Sequence, residues 1–215
     1  MGTNRDANAE ATGGLHSFLA GLLLGRRVLE VGCGSGKVTL EYAQAAARVD
    51  AIDIDGRALA GLDACLVAKG LEGRVTTHLR SLFDLEDEIR YDAALFTYSL
   101  HHLPVKRAIK KGFTLADRVI ILDHGEGSEW AALTGESGRI RRVWKRVSNF
   151  PCLAKEVFET EIVFDDFSHL LRDISKKRMG KKNAKKYHDI SPIRIRTPSR
   201  ICEICQNLTS PVEKV

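Results

Sequence analysis

The residues best placed to do chemistry are glycines and carboxylates near the front of the chain. In Glu30-Val31-Gly32-Cys33-Gly34-Ser35-Gly36, glycines fall at every second position, two residues beyond an acid. Such spacing lets the backbone turn tightly and approach a ligand that a Cβ would block. Ala51-Ile52-Asp53-Ile54-Asp55 follows at the distance where a carboxylate reaches the ribose of a bound nucleotide. An ionised carboxylate can accept from both ribose hydroxyls at once. The alternative for Asp53 is a plain surface charge at a strand end. For the glycines, three other readings compete. A Walker loop needs Gly-x4-Gly-Lys-Ser/Thr, and Val31 and Val38 stand at its first and last positions. A dinucleotide loop needs a third glycine where Lys37 stands. A tight turn with no ligand is the remaining possibility.

A second group lies in Tyr98-Ser99-Leu100-His101-His102-Leu103. Imidazole titrates near neutrality, so His101 or His102 is a candidate general base, with Tyr98 a candidate site residue and His124 a weaker one. The competing reading has one histidine packed against a helix and the other exposed. Cys202-Glu203-Ile204-Cys205 is a lone pair of thiols. A structural zinc takes four ligands, and Cys152 and His188 complete no recognised spacing, so buried or edge thiols and no metal are expected. Ser175 to His188 is dense in Lys and Arg. Lys176 to Lys186 would suit the phosphates of RNA, with Tyr187 or His188 stacking on a base. The alternative is a solvated, mobile insertion.

The elements that must position these residues alternate. Short β-rich runs cover Arg27–Val31, Arg48–Ile54, Arg74–Leu79, Tyr91–Thr97 and Arg118–Asp123. Helical spacing covers Leu15–Leu24, Val38–Ala47, Ala58–Lys69, Val105–Thr114 and Arg139–Phe150. Gly125–Gly138 reads as a loop, Phe158–Ile174 as mixed with helix from about Phe167, and Ile193–Cys205 as one or two late strands. Alternation of this kind predicts an α/β fold, a Rossmann-like, doubly wound and mostly parallel sheet with helices on both faces. Its ligand would sit at the carboxyl ends of the strands, where Gly32, Asp53, Ser81 and Tyr98 fall.

With 215 residues and 44% apolar content the chain is expected to form one domain, residues 15–215, behind a flexible polar tail at 1–14. Five unevenly spaced cysteines argue against a disulfide framework and for a reducing cytoplasm. Phe18–Leu24 is too short to span a bilayer, so no membrane partner is expected. Asn207-Leu208-Thr209 matches a glycosylation sequon, which a cytoplasmic chain would not use. Between Arg172 and Arg200 eleven Lys/Arg stand against two Asp, a net +9 within a chain of +5. An anionic partner therefore belongs to that basic insertion.

Val28-Leu-Glu-Val-Gly-Cys-Gly-Ser-Gly36, the acid at Asp53, and Tyr91-Asp-Ala-Ala-Leu-Phe-Thr-Tyr-Ser-Leu-His-His-Leu103 together resemble class I S-adenosylmethionine (SAM)-dependent methyltransferases of the small-molecule, type 11-like kind. The resemblance covers roughly Val28 to Asp123. It implies SAM as cofactor, bound by Glu30, Gly32, Cys33, Gly34, Gly36, Asp53, Ile54, Ser81, Leu82 and Thr97. Many relatives carry an acid where Ser81 stands, so a hydroxyl would have to meet the adenine amine. The Leu-His-His-Leu segment points to a small-molecule acceptor. An RNA methyltransferase using the basic segment is the alternative, and a non-catalytic SAM-binding module a further one. No Asn/Asp-Pro-Pro-Tyr/Phe sequence follows the fourth strand, which argues against methylation of adenine amines in DNA.

Overall fold

The computed structural model describes residues 4–86, 89–174 and 180–206, with side chains from residue 12 onward. Its first half alternates as α1 (Asn4–Leu23), β1 (Arg27–Val31), α2 (Thr39–Tyr42), β2 (Arg48–Asp53), α3 (Gly56–Lys69), β3 (Val75–Leu79), β4 (Tyr91–Thr97), α4 (Val105–Leu115) and β5 (Ala116–His124). The second half holds α5 (Glu129–Thr134), α6 (Ser137–Val147), β6 (Cys152–Phe158), β7 (Glu161–Phe164), α7 (Phe167–Ile174), α8 (Gly180–Ala184), β8 (Ile193–Arg196) and β9 (Ser199–Ile204). Short 3-10 turns occupy Leu82–Asp84, Leu100–His102 and Lys185–Tyr187.

Seven strands form one sheet in the order β3-β2-β1-β4-β5-β9-β6. The first five are parallel, and β9 runs antiparallel to both β5 and β6. Strand order reverses between β1 and β4, which opens a crevice at their carboxyl ends. Val31 pairs with Ile52 on one side and Phe96 on the other, so the glycine loop, Asp53 and Thr97 leave the sheet level with one another. Both faces are covered, as the nearly unbroken apolar runs of β4 and β5 require. One face packs on α4 and α6 through Phe96, Ile109, Val143 and Trp144; the other packs on α1 and α3 through Leu19, Leu23, Leu62 and Leu66. A separate apolar cluster joins the two-stranded β7–β8 sheet to α5, α7 and α8.

Local signals account for most boundaries. Asp55 accepts from the amides of Arg57 (2.9 Å) and Ala58 (3.3 Å) and so caps α3, whose end is closed by Gly70 in the left-handed region. That role makes Asp55 a helix cap beside Asp53. Four expectations need correction. Residues 4–14, expected as a tail, extend α1, because Ala and Glu are good helix formers and Gly13 and Gly14 do not interrupt it. The helix expected over Val38–Ala47 is a single turn. Gly125–Gly138 contains α5, capped by Ser128 (Ala131 N–H, 3.1 Å) and ended by left-handed Gly135. Residues 180–187, the described part of the supposedly mobile basic insertion, are helical, with Ala184 and Tyr187 buried in the β7–β8 cluster. Lys176, Lys177, Arg178 and the Asn207 sequon lie outside the described residues. Among the described residues no helix is long and apolar enough to cross a membrane.

Candidate active site

Glu30 ends inside the sheet, fully buried. Its carboxylate accepts from the hydroxyls of Thr39 (2.7 Å), Tyr42 (2.8 Å) and Thr97 (2.7 Å). Burial raises its pKa above the usual carboxylate value, and the three hydroxyls oppose that shift. Glu30 thus ties the glycine loop to α2 and β4. The hydroxyl of Thr97 serves this knot too, so Glu30 and Thr97 position the loop and neither lines the cavity beyond it. Gly32 and Cys33 donate their amides to the Ile52 carbonyl at 2.8 and 3.2 Å. Gly32, Gly34 and Gly36 all have positive φ. A Cβ on Gly32 would stand 2.5 Å from Ser99 Cβ, and one on Gly36 would stand 2.2 Å from Leu62 Cδ1. The side chain of Cys33 is buried, and burial pushes its thiol far up, which makes it inert.

Asp53 holds the loop from the other strand. One carboxylate oxygen accepts the Gly34 amide at 2.7 Å, the other the Asp55 amide at 2.9 Å. Each oxygen keeps a lone pair for a further donor. A cavity of about 370 Å³ opens here, lined by Gly32, Asp53, Ile54, Ser81 and Leu82 at one end and by Tyr98, Ser99, His102 and Leu103 at the other. Ile54 is 79% exposed, an apolar side chain laid open directly after the carboxylate. Ser81 caps the 3-10 turn by accepting from Phe83 N–H at 3.2 Å, which holds Leu82 in the wall. Arg80 also lines the cavity, a residue that sequence reasoning passed over.

The far end is aromatic and basic. Tyr98 has φ 48°, alone among the non-glycine described residues in the left-handed region, a strained state that clusters at functional sites. Its hydroxyl meets Ser199 Oγ at 2.6 Å, its ring lies 4.9 Å from that of His124, and burial pushes its pKa up to about 12. At neutral pH it is a protonated phenol and no base. His101 is buried and its Nδ1 lies 2.9 Å from both oxygens of Asp123, itself fully buried. Its ring packs 3.9 Å from that of His102, which is exposed on the cavity wall. His124 faces Thr197 Oγ1 at 3.0 Å through Nδ1. The fold therefore brings Tyr98, His101 and His102 together and adds Asp123, next to last in β5. Its signal was an acid at the carboxyl end of a parallel strand next to β4.

The sequence offers no metal-ligating set, yet the fold brings Glu136 beside the histidine pair: ligand atoms of His101, His102 and Glu136 all lie within 4.8 Å of one another. Cys202 and Cys205 are buried thiols, and Cys202 Sγ lies 3.1 Å from that of Cys152. In the basic segment Tyr187 is buried and His188 packs edge-on against Phe167 at 5.1 Å while meeting Asp189 at 2.8 Å. The Tyr187 ring is thus not presented for stacking on a base.

Residues 28–120 match the family model described as the methyltransferase domain. Over this segment the chain is similar to methyltransferase domains. The matched segment carries the glycine loop, Asp53, Ser81, Tyr98 and both histidines. The methyltransferase fold also recurs among solved structures. A candidate methyltransferase from Bacillus halodurans superposes with TM-score 0.65 at 14% identity, over 90% of this chain and 97% of that one. A candidate RNA methyltransferase from Pyrococcus horikoshii gives 0.57 at 16%, over 94% and 85%. The [4+2]-cyclase SpnF gives 0.59 at 18%, over 91% and 82%. That last likeness shows how far one methyltransferase-like fold can carry other chemistry. Among curated proteins no match to the chain is found.

Proposed function

We propose that the methyltransferase binds SAM in the cavity between Asp53 and His102 and passes its methyl group to a small molecule held beside Tyr98 and His102. The carrying observation is the cavity itself, which runs from the Asp53 carboxylate to an end lined by Tyr98 and His102. The residues fit the donor. Asp53 has lone pairs for two ribose hydroxyls, and exposed Ile54 gives an adenine ring an apolar floor with Leu82 beside it. Gly32 leaves the space that a Cβ would fill. When bound, SAM supplies a methyl group on a sulfonium, and transfer needs the acceptor aligned behind that carbon. Tyr98 and His102 are the side chains placed to align it. His101, with Nδ1–H donated to Asp123, presents Nε2 as its basic nitrogen.

The small-molecule reading is favoured because Lys181 to Lys186 contributes no residue to this cavity. One observation favours a polyanionic acceptor such as RNA. A neighbouring cavity of about 490 Å³ shares Leu103 and is lined by Lys106, Arg142, Lys145 and Arg146. The test offers methyl-labelled SAM with a metabolite extract or total RNA across a salt series. Label in the small-molecule fraction, insensitive to salt, is expected. Label in RNA that falls steeply with salt would favour the second reading. Bound donor without any turnover would reject both and leave a binding module.

A further inference from the structure

The side chains at the acceptor end form a set that methyl transfer alone does not require. His101 is 2% exposed at its side chain and is locked by Asp123, whose carboxylate takes its Nδ1–H. A buried carboxylate behind a histidine fixes the tautomer that leaves Nε2 as a ligand, and this is the recurring support of metal-bound imidazole. Glu136 stands at the N-cap position of α6 but makes no cap hydrogen bond with its side chain. That carboxylate is buried; it accepts from Thr134 Oγ1 at 2.8 Å, and its backbone amide is anchored to Ala131 O at 2.7 Å. His102, exposed on the cavity wall, completes the group, with ligand atoms within 4.8 Å of one another. Ligands about 2.1 Å from a tetrahedral ion stand roughly 3.4 Å apart, so small side-chain rotations bring the three onto one centre. His101 and His102 lie within the matched segment 28–120 and Glu136 beyond it, so the set is completed from outside that segment.

We propose that His101, His102 and Glu136 form a binding site for a divalent first-row transition-metal ion whose open position faces the acceptor end of the donor cavity. Two imidazoles and one carboxylate suit zinc or iron(II), and three protein ligands leave a position for a further group. Resting on the proposed methyl transfer, the ion's role is to hold the acceptor's thiol or hydroxyl. Coordination lowers the pKa of that group, which releases its proton to solvent. The resulting lone pair attacks the methyl carbon, the carbon–sulfur bond of the sulfonium breaks with its electron pair going to sulfur, and the methylated acceptor leaves the ion.

The test is calorimetric titration of the full, chelator-treated chain with zinc chloride alone, and with SAM in parallel samples. One zinc per chain is expected. His102→Ala, an exposed position that does not threaten folding, and Glu136→Gln should each weaken zinc at least 100-fold. Asp123→Asn should cost 10- to 100-fold by loosening His101, on the order seen for partners behind a ligand. SAM affinity should be unchanged in Glu136→Gln. Cobalt(II) in place of zinc should give d–d bands without thiolate charge transfer. No stoichiometric zinc, undiminished zinc binding by both His102→Ala and Glu136→Gln, or a thiolate band from the Cys152–Cys202 pair would overturn the site. Zinc binding without SAM binding would refute the donor reading and leave the metal site standing; SAM without zinc would do the reverse.

Discussion

Replacing Asp53 by alanine tests the donor site through the group that organises it. Its carboxylate holds the Gly34 and Asp55 amides at 2.7 and 2.9 Å and keeps lone pairs toward the cavity. Loss of hydrogen bonds from ribose hydroxyls to a charged acceptor costs roughly 1.5–3 kcal/mol. That corresponds to a Kd for SAM weakened about 10- to 150-fold. The freed Gly34 amide lets the loop relax, which pushes the loss toward the upper end. Asp53→Asn should fall between the parent and alanine, because its single carbonyl oxygen can keep only one of the two amides. Calorimetric titration with SAM gives the constants, and circular dichroism melting shows whether the fold survives. Affinity within threefold of the parent in a folded Asp53→Ala variant would refute the assignment of Asp53 to the ribose.

Further outcomes follow from the same geometry. Gly32→Ala places a Cβ 2.5 Å from Ser99 Cβ on left-handed backbone and should destabilise by about 2–5 kcal/mol in urea melts. Gly34→Ala meets nothing within 4 Å and should cost only the roughly 1–2 kcal/mol of the backbone. Glu30, its pKa raised by burial, contributes stability that is full below the ordinary carboxylate pKa and is lost as pH rises through its folded value. The parent should therefore gain melting temperature relative to Glu30→Gln as pH drops from about 7 to about 5; a pH-independent difference would contradict the shift. Replacing Lys181, Lys182, Lys185 and Lys186 by Gln should leave SAM affinity and small-molecule methylation intact. Were RNA gripped there, the slope of log affinity against log salt would fall by up to about 3–4 units.

The sheet was legible because its strands are buried on both faces. Tyr91–Thr97 and Arg27–Val31 carry their bounds in mostly apolar runs, interrupted by Asp92 and by Glu30 and ended by polar or glycine residues. Edge strand β6 carries no such signal: it is mostly exposed, with apolar Leu153 and Val157 facing solvent, and only pairing with β9 makes it a strand. In α5 six residues sit within a Gly-, Ser- and Glu-rich stretch, where composition outweighs the cap at Ser128. For the site, Asp53 and the glycines are local in sequence and could be read from spacing. Asp123 and Glu136 meet His101 and His102 only through the β4–β5 pairing and the entry of α6, contacts that spacing does not encode. The helical order of residues 180–187 was not legible because charge density says nothing of the buried faces of Ala184 and Tyr187.

The proposed chemistry depends on where the donor lies. A crystal structure of the chain with S-adenosylhomocysteine, the demethylated donor, tests this most directly. The ribose hydroxyls are expected on Asp53, the adenine over Ile54 and against Leu82, and the sulfur turned toward Tyr98 and His102. A nucleoside bound outside this cavity, or a ribose held without Asp53, would contradict it.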